Sequence, residues 1–246
     1  MAIFVLVHPA WLGGWCWKKL VPLLEERGHT VSTPTLTGLG ERSHLAHPGV
    51  VLQTHVDDVV STLSYADLRD LILVGTSSSG AVVTGVADRV PERIAHLVYV
   101  DAFVPEDGQA LWDLIPPQRR PPMKALVDTE GFGWLLPRFA PEPWEQFVRQ
   151  AWQVTDEADQ AWMLPRLRPT PFGHFTSPLR LVNPAAEQLP KTYIRCQEWP
   201  NPSFDRYAQT ASQNPRWHLL QLESSHMPYI TVPHELAAML LDIAAS

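Results

Sequence analysis

Hydrophobic positions along the first hundred residues alternate between two rhythms. Short aliphatic runs stand at 3–7 ("IFVLV"), 71–74 ("LILV") and 96–103 ("HLVYVDAF"), and an alternating run, "HTVSTPTL", at 29–36. Unbroken runs of that length are the pattern of strands buried on both faces. Between them, residues of about 16–27, 53–68 and 81–94 carry apolar side chains at helical spacing. Strands alternating with helices predict a mostly parallel sheet with helices on both faces, an α/β fold. The rhythm breaks near Pro105. From there to about Leu189 the chain is rich in proline and tryptophan and reads as mostly helical, with no convincing strand. Alternation then resumes with "KTYIRC" (191–196), a helix near 203–212, "HLLQL" (218–222) and a terminal helix from about 233. The expected organisation is an α/β core of residues 1–104 and 188–246, interrupted by a helical insertion over 105–187.

Composition narrows the function classes. The 246 residues carry a formal charge of −7, which gives no electrostatic reason to expect nucleic acid or an anionic membrane as partner. No apolar run reaches the length of a membrane span. The opening residues read as a strand rather than a secretion signal, so a cytoplasmic location is expected. Cys16 and Cys196 have no metal-type spacing and are expected as two buried free thiols. Of the ten tryptophans, Trp112, Trp134, Trp144, Trp152 and Trp162 fall in the insertion, where they are expected to pack its core and to cover a ligand site.

The candidate chemistry begins at "LVGTSSSG" (73–80), where a predicted strand meets a predicted helix. Parallel α/β sheets bind ligands at the carboxyl ends of their strands. Gly75 and Ser77 fit the first and third positions of a G-x-S-x-G nucleophile elbow, Ser79 stands in the last slot, and Gly80 follows for close packing. A plain helix N-cap accounts for serines at such a joint too. A register one residue later, with Ser78 attacking, is the alternative. A serine nucleophile needs a base to take its proton. Of ten histidines, His44, His47 and His55 are expected in polar or exposed surroundings and His96 at a strand edge. His226, in the loop between the strand at 218–222 and the last helix, stands where a Ser–acid–His chain order puts the base. The loop "HPAWLGGW" after the first strand would lie beside Ser77. Pro9 has no N–H, so Ala10 is the expected oxyanion donor there, with the N–H of Ser78 as the second.

With "FVLVHPAWLGGWCWKKLVPLLEERGHTV", "LVGTSSSG", "LVYVDAFVP" and "SSHMPYITVPHEL" in view, the chain resembles the α/β-hydrolase superfamily over essentially its whole length. Within it, the chain is similar to the EstC-like carboxylesterases, plant methylesterases and hydroxynitrile lyases. The resemblance implies an α/β-hydrolase fold with a helical cap over 105–187. It implies Ser77 as nucleophile, His226 as base, and Ala10 and Ser78 as oxyanion hole. Two departures stand out. Ser79 replaces a glycine, and the family's acid position falls near Trp199 in "QEWPNPSF". Glu198 is the preferred acid, with Asp101 and Asp205 as alternatives.

The implied activity is hydrolysis of a carboxylic ester of a small apolar or aromatic substrate through an acyl-enzyme. Trp134 is expected in the substrate pocket, and neither metal nor cofactor is implied. The small-molecule ester is the expected partner, and a homodimer is left open. The alternatives are a weakened binding protein of the same fold and a hydroxynitrile-type lyase. Against the lyase, Met227 stands where those enzymes carry a lysine, and Pro9 where they carry a threonine.

Overall fold

The computed structural model of the chain describes residues 1–245; Ser246, the last residue of the expected core segment, lies outside the described residues. In chain order the first part comprises β1 (Ile3–Val7), α1 (Val21–Glu25), β2 (Thr30–Ser32), α2 (Leu52–Tyr65), β3 (Leu71–Ser77), α3 (Ser79–Arg89) and β4 (Ile94–Ala102). The insertion follows, with α4 (Leu111–Leu114), α5 (Arg120–Thr129), β5 (Leu135–Leu136), α6 (Trp144–Gln150), α7 (Glu157–Met163), β6 (Thr170–Pro171) and α8 (Gly173–Thr176). The chain closes with β7 (Lys191–Cys196), α9 (Pro202–Gln213), β8 (Trp217–Leu222), α10 (Pro228–Thr231) and α11 (Pro233–Ala245).

Among the described residues the main sheet has six strands in the order β2-β1-β3-β4-β7-β8, and every pairing is parallel. Phe4–Val7 and Leu71–Val74 are buried along their length, as continuous aliphatic strands covered on both faces must be. The chain leaves β1 for β2 on one side and returns for β3 on the other. The strand order therefore reverses at the β1–β3 boundary, and the crevice for a ligand opens at the carboxyl ends of these two strands.

Three expectations are corrected. The helix expected over 16–27 divides into a 3-10 turn, Gly14–Trp17, and the short α1, because Pro22 is tolerated only in a helix's first turn. The strand expected over 29–36 stops at Ser32, two residues before Pro34, whose missing N–H cannot join a ladder. The insertion holds an antiparallel ribbon, with Leu135 opposite Pro171 and Leu136 opposite Thr170, too short to leave a periodic trace in the sequence.

Candidate active site

At the end of β3 the backbone turns sharply through Ser77, whose φ of 50° is left-handed, while Ser78 is already helical at φ −67° and ψ −25°. A left-handed conformation costs a non-glycine residue roughly 1–3 kcal/mol and persists only where surrounding contacts enforce it. Those contacts are present. The Ser77 carbonyl accepts the Phe103 N–H at 2.9 Å. Ser79 Oγ accepts the Thr76 N–H at 2.8 Å and directs its proton at the carbonyls of Val7 (2.7 Å) and Thr76 (2.8 Å). The serine in the elbow's last slot thus ties the first turn of α3 to the ends of β1 and β3. Close packing falls one residue later, since a Cβ on Gly80 would lie 2.0 Å from the Phe103 carbonyl oxygen. At the head of the elbow, a Cβ on Gly75 would lie 2.6 Å from Val83.

The loop after β1 lies against this elbow and is held from several sides. His8, fully buried, accepts the Leu36 N–H at Nε2 (3.0 Å) and donates from Nδ1 to the Pro9 carbonyl (2.9 Å). Burial pushes its pKa down to about 4, so the ring is neutral at neutral pH. Trp11, at φ 66°, donates its backbone N–H to Thr170 Oγ1 (2.8 Å) and its indole N–H to the Leu136 carbonyl (3.0 Å). The β5–β6 ribbon is therefore the loop's anchor. Ala10, the expected oxyanion donor, gives its N–H to Ser78 Oγ at 2.8 Å.

His226, buried in the loop after β8, has its Nδ1 3.1 Å from Asp101 Oδ2. Asp101 is fully buried at the end of β4, with φ 44°. Its other oxygen accepts from Arg195 Nη1 (2.9 Å) and from the Cys196 N–H (3.1 Å). A buried carboxylate is tolerable when paired and hydrogen-bonded in this way. The Arg195 side chain, 5% exposed, also reaches Asp205 (2.9 Å from Nε) and the Trp199 carbonyl (2.8 Å).

Of the three carboxylates expected as candidate acids, Asp101 is the one that meets the imidazole. Glu198 is exposed, and its backbone N–H is taken by the Ser224 carbonyl at 3.1 Å. Trp199 occupies the slot beside the histidine, with ring centroids 3.9 Å apart and planes inclined by 34°. Phe204 packs on the same imidazole at 5.4 Å and 21°. Asp205 is 61% exposed and touches the site only through Arg195.

Ser77, Ser78 and His226 open into one cavity of about 300 Å³. Trp11, Phe103, Trp199 and Phe204 form its aromatic wall on the core side, and Phe139, Phe147 and Trp152 close it from the insertion. Arg119 is the one cation among the described lining residues, lying over the Phe139 ring at 5.5 Å. Trp134 is outside the lining. Its carbonyl accepts the Phe172 N–H at 2.7 Å beside the β5–β6 ribbon, so its position follows the ribbon and not the pocket.

His55 is likewise corrected. It is fully buried on the inner face of α2, donating from Nε2 to the Thr37 carbonyl (2.9 Å) and accepting at Nδ1 from His174 (2.9 Å). Burial lowers the pKa of both rings. Among the described residues, no group of three or more His, Cys, Asp or Glu is placed to hold a metal ion. Both cysteines are free and buried, and no described helix is long and apolar enough to cross a membrane.

Sequence reasoning missed Trp199, Phe204 and Arg195. Nothing in "IRCQEWPNPSF" marks a tryptophan as the neighbour of a histidine 27 positions later, and only the β4–β7 pairing brings Arg195 to Asp101. The hydroxyl roles of Ser78 and Ser79 were missed for a similar reason. Their partners, Ala10 and Val7, lie on another strand's end.

Residues 4–239 match the family described as "Alpha/beta hydrolase family". The chain is similar to the carbendazim hydrolyzing esterase of Nocardioides sp. (strain SG-4G), 37% identical over 98% of both chains. Among solved structures, it resembles an extracellular alpha/beta-hydrolase from a Paenibacillus species, with a TM-score of 0.84, 25% identity and 98% of both chains covered. It also resembles a methylesterase from Arabidopsis, with a TM-score of 0.77 and 26% identity over 100% of this chain and 99% of the other.

Proposed function

The chain belongs to the alpha/beta hydrolase family, and on that premise we propose that it is a serine-dependent esterase acting on a small, apolar or aromatic carboxylic ester. The observation that carries this reading is one shared cavity. It presents Ser77, on a strained elbow, and His226, whose Nδ1 is held by Asp101, inside an aromatic enclosure. In this mechanism Asp101 is a positioning residue that fixes the imidazole tautomer, leaving Nε2 free to act as base. His226 takes the Ser77 hydroxyl proton as Oγ bonds to the ester carbonyl carbon, and the C=O electron pair moves onto oxygen. The tetrahedral adduct collapses, the C–O bond to the alcohol breaks, and His226 returns the proton to the departing oxygen. Water then repeats the sequence on the acyl-enzyme, releasing the acid and restoring Ser77.

Residues 105–187 serve as a cap in this reading, because Phe139, Phe147 and Trp152 close the cavity and keep water from the reacting atoms. The steps ask for no metal or cofactor. The reading keeps the enzyme in the cytoplasm, where the buried thiols of Cys16 and Cys196 stay reduced. Buried Met227, which accepts the Tyr229 hydroxyl at Sδ (3.0 Å), puts no cation beside His226, and this favours ester hydrolysis over a lyase.

The test is labelling with a fluorophosphonate probe, located by mass spectrometry, beside turnover of p-nitrophenyl acetate and of carbendazim, which the name of the Nocardioides relative suggests. Stoichiometric modification of Ser77, abolished in Ser77→Ala together with turnover, is expected. A folded protein that neither labels nor turns over would favour the binding-protein reading.

A further inference from the structure

Resting on the esterase reading, we infer that the side-chain hydroxyl of Ser78 is itself an oxyanion-hole donor, standing between the Ala10 N–H and the substrate oxygen. The Ala10 N–H carries a single proton and spends it on Ser78 Oγ at 2.8 Å. The loop cannot easily swing to redirect it. The next N–H, that of Trp11, is fixed to Thr170 Oγ1, and the Trp11 indole to the Leu136 carbonyl. Ala10 therefore reaches the cavity through Ser78.

The serine is suited to pass the interaction on. The residue is only 3% exposed yet lines the cavity beside Ser77. Among the described residues, its Oγ has the Ala10 N–H as hydrogen-bond partner and its own proton has no protein acceptor. A hydroxyl oxygen that accepts one bond becomes a stronger donor through its own proton. The oxyanion formed at Ser77 would then receive two bonds from one residue. One comes from the Ser78 N–H, at the N-cap of the eleven-residue α3, and the other from the Ser78 O–H, polarised by Ala10. An apolar residue at this position would leave both the Ala10 N–H and the oxyanion to find each other directly.

The experiment compares wild type, Ser78→Ala and Ser78→Thr, the last keeping a hydroxyl on the same Cβ. Each is measured for p-nitrophenyl acetate kinetics, inhibition by an aryl trifluoromethyl ketone, and thermal unfolding. Ser78→Ala is expected to lose roughly 10- to 100-fold in kcat with KM little changed. This is less than removal of an isolated donor, because the freed Ala10 N–H compensates in part. Its affinity for the ketone, whose adduct carries the oxyanion, should fall by a similar factor, and Ser78→Thr should recover most of both. The inference is overturned if Ser78→Ala matches or exceeds wild type, since the hydroxyl would then be obstructing Ala10. It is overturned equally if the loss lies in KM, or if Ser78→Thr falls as far as Ser78→Ala, since either outcome makes the serine a packing residue. A wild type with no turnover and no labelled Ser77 overturns the esterase reading, and this inference with it.

Discussion

The serine side of the cavity is nearly contiguous in the chain, whereas the histidine–carboxylate side is gathered from afar. Residues 75–80 contain the strained serine, the clamp at Ser79 and the close-packing Gly80, so the demand for small residues falls within six consecutive positions even though Val7, Ala10 and Phe103 also hold them. Opposite them, Asp101, Arg195 and His226 come from three separate strand ends, and their ion pair joins residues 94 positions apart. A feature enforced by its own neighbours leaves a compact motif in the sequence. A feature enforced by distant partners leaves single, unremarkable residues. The loop after β1 lies between these cases, being short in sequence but bolted to Thr170 and Leu136 of the insertion.

The largest expected effect comes from Asp101→Asn, which should lower kcat by about 10³- to 10⁴-fold, since the amide orients the wrong imidazole tautomer. A loss below about tenfold would remove Asp101 from the histidine–carboxylate side. Acidification is expected to act next, through the loop after β1. His8 titrates near 4 in the folded protein and near 6.5 when unfolded, so between these values the unfolded chain binds a proton that the folded chain refuses. Stability fully present above pH 6.5 is therefore lost as pH falls, by roughly 3 kcal/mol at pH 4 from this one ring. His55 and His174, lowered for the same reason of burial, add to the loss. Urea midpoints at pH 7.5, 6 and 5 check the slope, and a flat profile would mean that these rings are not buried neutral.

Trp199→Ala should cost about tenfold in kcat by loosening the imidazole it packs on, with Trp199→Phe restoring most of it. Equal losses in both variants would show that the ring's packing on His226 is not what matters. Glu198→Gln, next to the position the family pattern favours, is expected to change kcat less than about twofold, because the side chain is exposed and outside the cavity lining. A large loss there would reinstate Glu198 as the acid.

Much of this molecule is legible without coordinates. The strands β1, β3 and β4 appear as apolar runs because parallel strands covered on both faces must be apolar throughout, while β7 and the edge strand β8 are legible only from their place in the strand–helix alternation. Ser77 is legible because a strained turn demands small neighbours on either side of it. His226 is legible from its place in chain order. Periodicity alone overruns β2 and the first helix, which Pro34 and Pro22 cut short.

The carboxylate that meets His226 shows where local reasoning stops. Alignment points to the loop after β7, which holds Glu198 and Trp199, and the exposed carboxylate there is the nearest in sequence. Asp101 meets the histidine instead, because β4 and β7 pair directly and because Arg195 and the Cys196 N–H give a buried carboxylate the partners it needs. Trp134 fails as a pocket residue on similar grounds, since a two-residue ribbon sets its place.

What the sequence determined by itself was the α/β alternation, the elbow at Ser77 and the position of His226, all of which rest on periodicity or on steric demands among near neighbours. The tertiary structure alone decided which carboxylate faces His226, which ring packs on it, and that the Ala10 N–H ends on the Ser78 hydroxyl. Those outcomes depend on which strand ends lie side by side, and a buried charge or donor is settled by whatever partner stands within about 3 Å.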